Sequence, residues 1–175
     1  MRDKFKDAKL ATMNKLLGYD SLLQVGNPAP DFSLPDQNGQ PVRLTDVLQR
    51  AWAILFFYPK DDSPICTAQA CAFRDAFDNI RAAGAEIIGI SADSVESHRR
   101  FAEKQHLPFT LLSDPQRAVA NLYGVPLAFG FMPSRVTFVI DRGGIIRMAY
   151  PAQFSASGHM EKALTLIREQ GAAAG

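Results

Sequence analysis

Eight consecutive apolar side chains at positions 51–58, Ala-Trp-Ala-Ile-Leu-Phe-Phe-Tyr, interrupt an otherwise mixed chain. Nothing polar alternates with them, so the run predicts a central strand covered on both faces. The period then changes. Over 63–81, Phe73, Phe77 and Ile80 recur three or four apart, the spacing of a helix with one apolar stripe. Gly84 ends that helix, and 85–91 (Ala-Glu-Ile-Ile-Gly-Ile-Ser) predicts a second buried strand. A helix over 94–105 and a short strand over 108–112 follow. Residues 31–34 and 41–44 flank Asn38-Gly39, a hairpin signal; 135–140 and 145–150 flank Asp141-Arg142-Gly143-Gly144, a second one. A helix over 158–169 closes the chain.

Strand–helix–strand units followed by an antiparallel pair predict an α/β domain with a mixed central sheet and helices on both faces. A thioredoxin-like fold with an N-terminal β-hairpin fits; a flavodoxin-like sheet has a compatible order of elements. The domain is expected to span 25–171, opened by the punctuation Val25-Gly26-Asn27-Pro28-Ala29-Pro30, with 172–175 as a tail. Residues 1–24 form an N-terminal extension, partly helical. Phe5, Leu10, Met13, Leu16 and Leu17 share one side of a helical wheel, although Lys6 and Lys9 intrude on it.

Composition narrows the function classes. A chain of 175 residues suits one domain that buries a full core without metals or staples. Lys plus Arg number 19 against 18 Asp plus Glu, so no net field draws in nucleic acid or acidic lipid. No run approaches the ~18 apolar residues of a membrane helix. The opening Met-Arg-Asp-Lys-Phe-Lys has no apolar core of signal-peptide length. A soluble cytoplasmic protein, with neither nucleic acid nor membrane as partner, is the expectation.

Two cysteines, Cys66 and Cys71, are too few for a disulfide framework. Zinc wants four ligands, and His98, His106 and His159 are scattered along the chain, so no metal or cofactor is expected. Ser63 followed by Pro64 is a helix start signal, which puts Cys66 in the first turn. Unpaired N–H groups and the positive end of the helix dipole there favour thiolate over thiol. The bland reading of such a cysteine is a small apolar core residue. Geometry adds a constraint. Two Cα atoms five apart on an intact helix lie roughly 8–9 Å apart and about 140° around the axis, beyond the ~7 Å reach of a disulfide. A permanent bond is therefore disfavoured, and a transient one requires the first helical turns to melt.

The same residues resemble the peroxiredoxins, and within them the peroxiredoxin Q group, also called bacterioferritin comigratory proteins. The family motif Pro-x-x-x-Thr/Ser-x-x-Cys is met by Pro59, Ser63 and Cys66 in the setting Phe-Tyr-Pro-Lys-Asp-Asp. Cys71 matches the resolving cysteine of the intramolecular (atypical 2-Cys) members, and Arg135 matches the arginine that opens a late strand. The likeness covers roughly 25–170, including Gly26–Phe32 written Gly-Asn-Pro-Ala-Pro-Asp-Phe. Three departures stand out: Ile65 where most members have Gly, Ser63 for the commoner Thr, and Gln69 where Glu is frequent.

The resemblance implies a thiol-dependent peroxidase. Cys66 reduces hydrogen peroxide or an organic hydroperoxide and becomes a sulfenic acid, Cys71 condenses with it to a disulfide, and thioredoxin or glutaredoxin restores both thiols. Thiolate population alone cannot supply the rate. Full ionisation of a cysteine of pKa ~8.5 gains only about 30-fold at neutral pH, against the ~10⁶-fold or more that enzymes deliver. By analogy Arg135, the Ser63 hydroxyl and the Cys66 backbone N–H orient the peroxide and stabilise the leaving oxygen, and Pro59 screens water. Each has a structural rival: Ser63 as a cap, Pro59 as a strand end, Arg135 as a solvated charge, and Trp52, Phe56, Phe57 and Tyr58 as plain core. The histidines are assigned surface or helix-end roles. A thioredoxin-like thiol–disulfide oxidoreductase and a non-enzymatic peroxide sensor are the alternative functions. With both cysteines on one chain a monomer is expected, and the extension offers a route to a dimer.

Overall fold

A computed structural model describes residues 4–128, 130–152 and 155–171, so the tail expected at 172–175 lies outside the described residues. Helix α1 (Lys4–Leu16) is followed by a 3-10 turn at Tyr19–Ser21. The Asn38-Gly39 signal produces β1 (Ser33–Pro35) and β2 (Pro41–Arg43), which pair antiparallel in a small sheet of their own. The Asp36 carboxylate fastens the turn, accepting the N–H groups of Asn38 at 2.8 Å and Gln40 at 2.9 Å. The short helix α2 (Leu44–Leu48) leads into β3 (Trp52–Phe57), every residue of which is buried.

The chain continues through α3 (Pro64–Asp75), α4 (Phe77–Ala82), β4 (Ala85–Ser91), α5 (Val95–Gln105) and β5 (Thr110–Ser113). Next come α6 (Ala118–Leu122), the two-residue strands β6 (Leu127–Ala128) and β7 (Met132–Pro133), β8 (Val136–Ile140), β9 (Ile146–Pro151) and α7 (Ala156–Gln170). The central sheet has the order β5-β4-β3-β8-β9. Strands β3, β4 and β5 run parallel, while β8 is antiparallel to both β3 and β9. This is the mixed sheet of the thioredoxin-like layout that the element order predicts, and it excludes the flavodoxin alternative.

Strand alternation divides β3 between two cores. Ala53, Leu55 and Phe57 face one side, with Leu44, Val47, Val119, Tyr123 and Phe138. Trp52, Ile54 and Phe56 face the other, with Phe73 of α3, Ile80 of α4, Phe101 of α5 and Ile167 of α7. A period-two strand buried on both faces carries no polar positions, which is why its sequence is a continuous apolar run. Gly89 on β4 belongs to the second face: a Cβ there would lie 2.6 Å from the Phe56 ring, so glycine lets that ring cross the strand. Phe56 in turn stacks on Phe73, with centroids 4.7 Å apart, and so seats α3 over the sheet.

One expectation is corrected, and two features add to the reading. The single helix expected over 63–81 is two, because Ala76 leaves helical geometry (φ −94, ψ 1); alanine carries no breaker signal. Helix α6 and the β6–β7 pair were not predicted, being too short for a hydrophobic period to register. Tyr19 and Leu22, counted with the extension, are buried in the core. The backbone there is close-packed: a Cβ on Gly124 would meet the Ser21 carbonyl oxygen. On α1 itself Phe5, Met13 and Leu16 are exposed, while the Lys6 and Leu10 side chains lie outside the described residues.

Candidate active site

Helix α3 starts where β3 ends, at the carboxyl ends of the parallel strands. Ser63 occupies the N-cap position (φ −70, ψ 148) with Pro64 at the first helical position, as its sequence predicts. The capping chemistry is different from the expectation. The Ser63 side chain makes no cap bond; its Oγ donates to the Lys60 carbonyl at 2.9 Å. Among the described residues it does not hydrogen-bond Cys66. The first intrahelical bond runs from Thr67 N–H to Ser63 O at 2.8 Å. Cys66, the third helical residue, therefore has by position a backbone N–H with no acceptor one turn back. Its side chain is 1% exposed, packed with Tyr58, Ala70 and Phe73. Pro59, half-buried, follows directly on Tyr58.

Arg135 reaches this thiol from the neighbouring strand. The register Phe57↔Val136 puts the residue just before β8 beside the end of β3. Arg135 is 3% exposed, and its Nη1 lies 3.2 Å from Cys66 Sγ. The same nitrogen donates to Gln69 Oε1 at 2.8 Å. Gln69 sits three residues after Cys66, on the same face of α3, and is fully buried. Its neutral amide orients the guanidinium without neutralising it, so the positive charge stays available to the sulfur; a carboxylate there would offset it. Among the described residues Gln69 Nε2 has no hydrogen-bond partner.

Cys71 is half-buried, and its thiol donates to Gln105 Oε1 at 3.6 Å. Both cysteines are free and α3 is continuous between them, so the sulfurs stand on opposite flanks of a wound helix. The structure thus brings Cys66 and Arg135 together and leaves Cys71 apart from them.

A buried network beside the site was missed. The Asp61 carboxylate accepts from Tyr58 Oη at 2.6 Å, Ser97 Oγ at 2.8 Å and His98 Nδ1 at 2.7 Å. His98 Nε2 lies 3.0 Å from the Leu112 carbonyl. Both ring nitrogens face oxygen atoms, so the ring is held from two sides. Burial, then the neighbouring Asp61 charge, raises the Tyr58 phenol well above its usual pKa, so it stays a donor. Asp93 extends the network, accepting from Asp61 N–H at 2.9 Å and Ser91 Oγ at 2.6 Å. Asp61, Asp93 and His98 offer ligand atoms within 4.8 Å of one another. Both Asp61 oxygens, Asp93 Oδ2 and both His98 ring nitrogens are already engaged with protein, so the cluster reads as a latch on the loop before α3.

The surface role expected for the histidines is corrected for two of them. His98 and His159 are fully buried, while His106 is the left-handed cap of α5 (φ 52). His159 lies 2.8 Å from Thr137 Oγ1 through Nδ1 and 2.8 Å from the Ala152 carbonyl through Nε2. Burial lowers its pKa to about 4. The periodic placing of both histidines on helices was the only available signal, and it does not separate inside from outside without the packed partners.

Similarity to known proteins agrees with this geometry. Residues 25–149 match the AhpC/TSA family. Over 144 residues the chain is 45% identical to a chloroplastic peroxiredoxin Q of Sedum lineare, covering 82% of this chain and 77% of that protein. It is 46% identical to the Arabidopsis thaliana chloroplastic peroxiredoxin Q, again over 82% of this chain but 66% of the relative, just under two thirds. Among solved structures, peroxidoxin BcpB from Mycobacterium tuberculosis superposes with a TM-score of 0.80 at 38% identity, covering 84% of this chain and 97% of that one. A mutant of Xylella fastidiosa PrxQ superposes with a TM-score of 0.79 at 26% identity, covering 86% and 98%.

Proposed function

The chain belongs to the AhpC/TSA family, in its peroxiredoxin Q branch, and on that premise we propose that it is a thiol-dependent peroxidase acting on hydrogen peroxide and organic hydroperoxides. The Cys66 thiolate attacks the terminal peroxide oxygen. The O–O bond breaks, the departing oxygen takes a proton and leaves as water or alcohol, and the sulfur becomes a sulfenic acid. The Cys71 sulfur then attacks the sulfenic sulfur; an S–S bond forms, the S–O bond breaks, and water leaves. An external dithiol protein, thioredoxin or glutaredoxin, reduces the disulfide by exchange.

The observation that carries the reading is the buried guanidinium of Arg135 at 3.2 Å from Cys66 Sγ. A charge so placed stabilises the thiolate and then the negative charge moving onto the departing oxygen, in a site with little water to screen it. The first-turn N–H of Cys66, without an acceptor one turn back, supplies a further donor. Ser63 Oγ is given the role of a third once it swings off the Lys60 carbonyl, and Pro59 that of excluding water. Both sulfurs come from one chain, so the working unit of the cycle is a monomer.

A mass-resolved peroxide titration tests this. Wild type should yield a Cys66–Cys71 disulfide, Cys71→Ser should stop at oxidised Cys66, and Cys66→Ser should consume no peroxide. Turnover should require thioredoxin or glutaredoxin. Rapid reduction of insulin disulfides without peroxide turnover would instead identify a thioredoxin-like oxidoreductase. Unchanged cellular peroxide clearance in Cys66→Ser, with altered partner binding, would identify a sensor.

A further inference from the structure

For the disulfide to form, Cys71 must turn and travel toward Cys66, since a wound helix holds their Cα atoms roughly 8–9 Å apart. What holds it back is the last turn of α5. The Cys71 thiol donates to Gln105 Oε1 at 3.6 Å, and three residues on, Arg74 Nη1 donates to the Gln105 carbonyl at 2.8 Å. That carbonyl is one of the unpaired acceptors at the C-terminal end of a helix, so it attracts a cation. One residue of α5 therefore grips the resolving side of α3 twice, by its side chain and by its backbone.

The rest of α3 is fastened differently. It packs chiefly against α7, and Phe73 is fully buried on Phe56, which keeps the far end of the helix in the core during any unwinding. Upstream, α5 also holds the loop that feeds α3, through Ser97 and His98 on Asp61 and through Lys104, 3.3 Å from Asp62. The segment bearing both cysteines is thus spanned by a single helix that supplies neither of them. Of its ties, the Gln105 contact alone engages a reacting sulfur, and it must break before that sulfur can attack.

We infer that Gln105 and Arg74 are positioning residues for the resolving step: their contacts on the last turn of α5 keep Cys71 away from Cys66, and their release sets the rate of disulfide formation. The inference rests on the peroxidase reading above. It separates two quantities, because the contacts that form the clip involve neither Cys66 nor Arg135. Attack on peroxide should be indifferent to the clip, whereas the partition of the sulfenic acid between disulfide and over-oxidation should follow it.

Rapid-quench mass spectrometry of the full chain with hydrogen peroxide resolves the two phases. Relative to wild type, Gln105→Ala should leave the rate of Cys66 oxidation unchanged and speed disulfide formation about 3-fold. Arg74→Ala, which loses a charge-assisted bond, should speed it about 10-fold. Arg74→Lys should return part of that loss of restraint. The sulfinic fraction at high peroxide should fall in the same order, Arg74→Ala lowest. Disulfide formation at wild-type rate, or slower, in both alanine variants overturns the clip while leaving the peroxidase reading intact. Absence of any disulfide in wild type overturns that parent reading and the clip with it.

Discussion

The buried imidazole of His159 makes acid stability a direct test of the packing behind the active site. The ring bridges Thr137 Oγ1 on β8 and the Ala152 carbonyl, and Tyr150 meets it edge-on at 4.8 Å. Thr137 lies two residues after Arg135 on the same face of the strand. Both bonds suit a neutral ring that accepts from the hydroxyl and donates to the carbonyl. Burial is the main reason its pKa drops from 6.5 to about 4, with the nearby Arg135 charge adding to it. The folded value lies below the unfolded one, so between them the unfolded chain binds more protons and folding weakens as pH falls. The contribution is whole above pH 6.5. Working the linkage through, about 2 kcal/mol is lost by pH 5 and about 3 kcal/mol by pH 4. Against a typical stability of roughly 5–15 kcal/mol this is a large share. Urea denaturation from pH 8 to pH 4 should show that loss in wild type. In His159→Gln, which keeps a donor for Ala152 but does not titrate, the curve should start lower and fall less steeply by those amounts. Parallel curves for the two proteins would refute the assignment of a neutral, buried His159.

Three further outcomes follow from the site. Gln69→Glu puts a carboxylate against Arg135 and offsets the charge facing Cys66; the second-order rate with peroxide should drop roughly tenfold, about 1.4 kcal/mol of transition-state stabilisation, and an unchanged stopped-flow rate would count against a charge role for Arg135. Ile65, half-buried in the first turn of α3, should stiffen that turn; Ile65→Gly should weaken the helix by roughly 0.5–1 kcal/mol and speed disulfide formation about 2- to 5-fold, whereas equal partitioning between disulfide and over-oxidised Cys66 would refute it. His98→Phe removes a hydrogen-bond partner from the buried Asp61 carboxylate and should cost about 1–3 kcal/mol of stability, read by urea denaturation; an unchanged stability would mean that the latch carries no load.

How much of this was legible in the sequence depends on the range of the interaction. Continuous burial of 51–58 requires a strand covered on both sides, so the central strand and its neighbours could be read from local pattern. The Ser63-Pro64 start also held by position, since proline tolerates only the first turn of a helix. Cys66, Cys71 and Arg135 were singled out because a motif names them, and the physics of each alone would not have sufficed: Arg135 comes beside Cys66 only through the β3–β8 register. The Ser63 hydroxyl went astray because capping competes with a nearby carbonyl, a balance that spacing does not decide. His98 and Asp61 lie 37 positions apart and meet only once α5 is laid across the end of β3. Nothing local distinguishes such a histidine from a solvated one.

These ranges also explain how a site can be rigid for one step and mobile for the next. Cys66 is set against Arg135 by sheet register and by Phe73 in the core, contacts that bury apolar area and hold steeply. The resolving side of the same helix is held by a thiol hydrogen bond and one partly exposed guanidinium, each worth little by comparison. In the proposed cycle, attack on peroxide would need the first set intact and disulfide closure would need the second to yield. A single helix that served both with equally strong contacts would be fast at one step only. The uneven distribution of burial along α3, apolar beneath and polar at its flank, would let the two proposed steps share twelve residues.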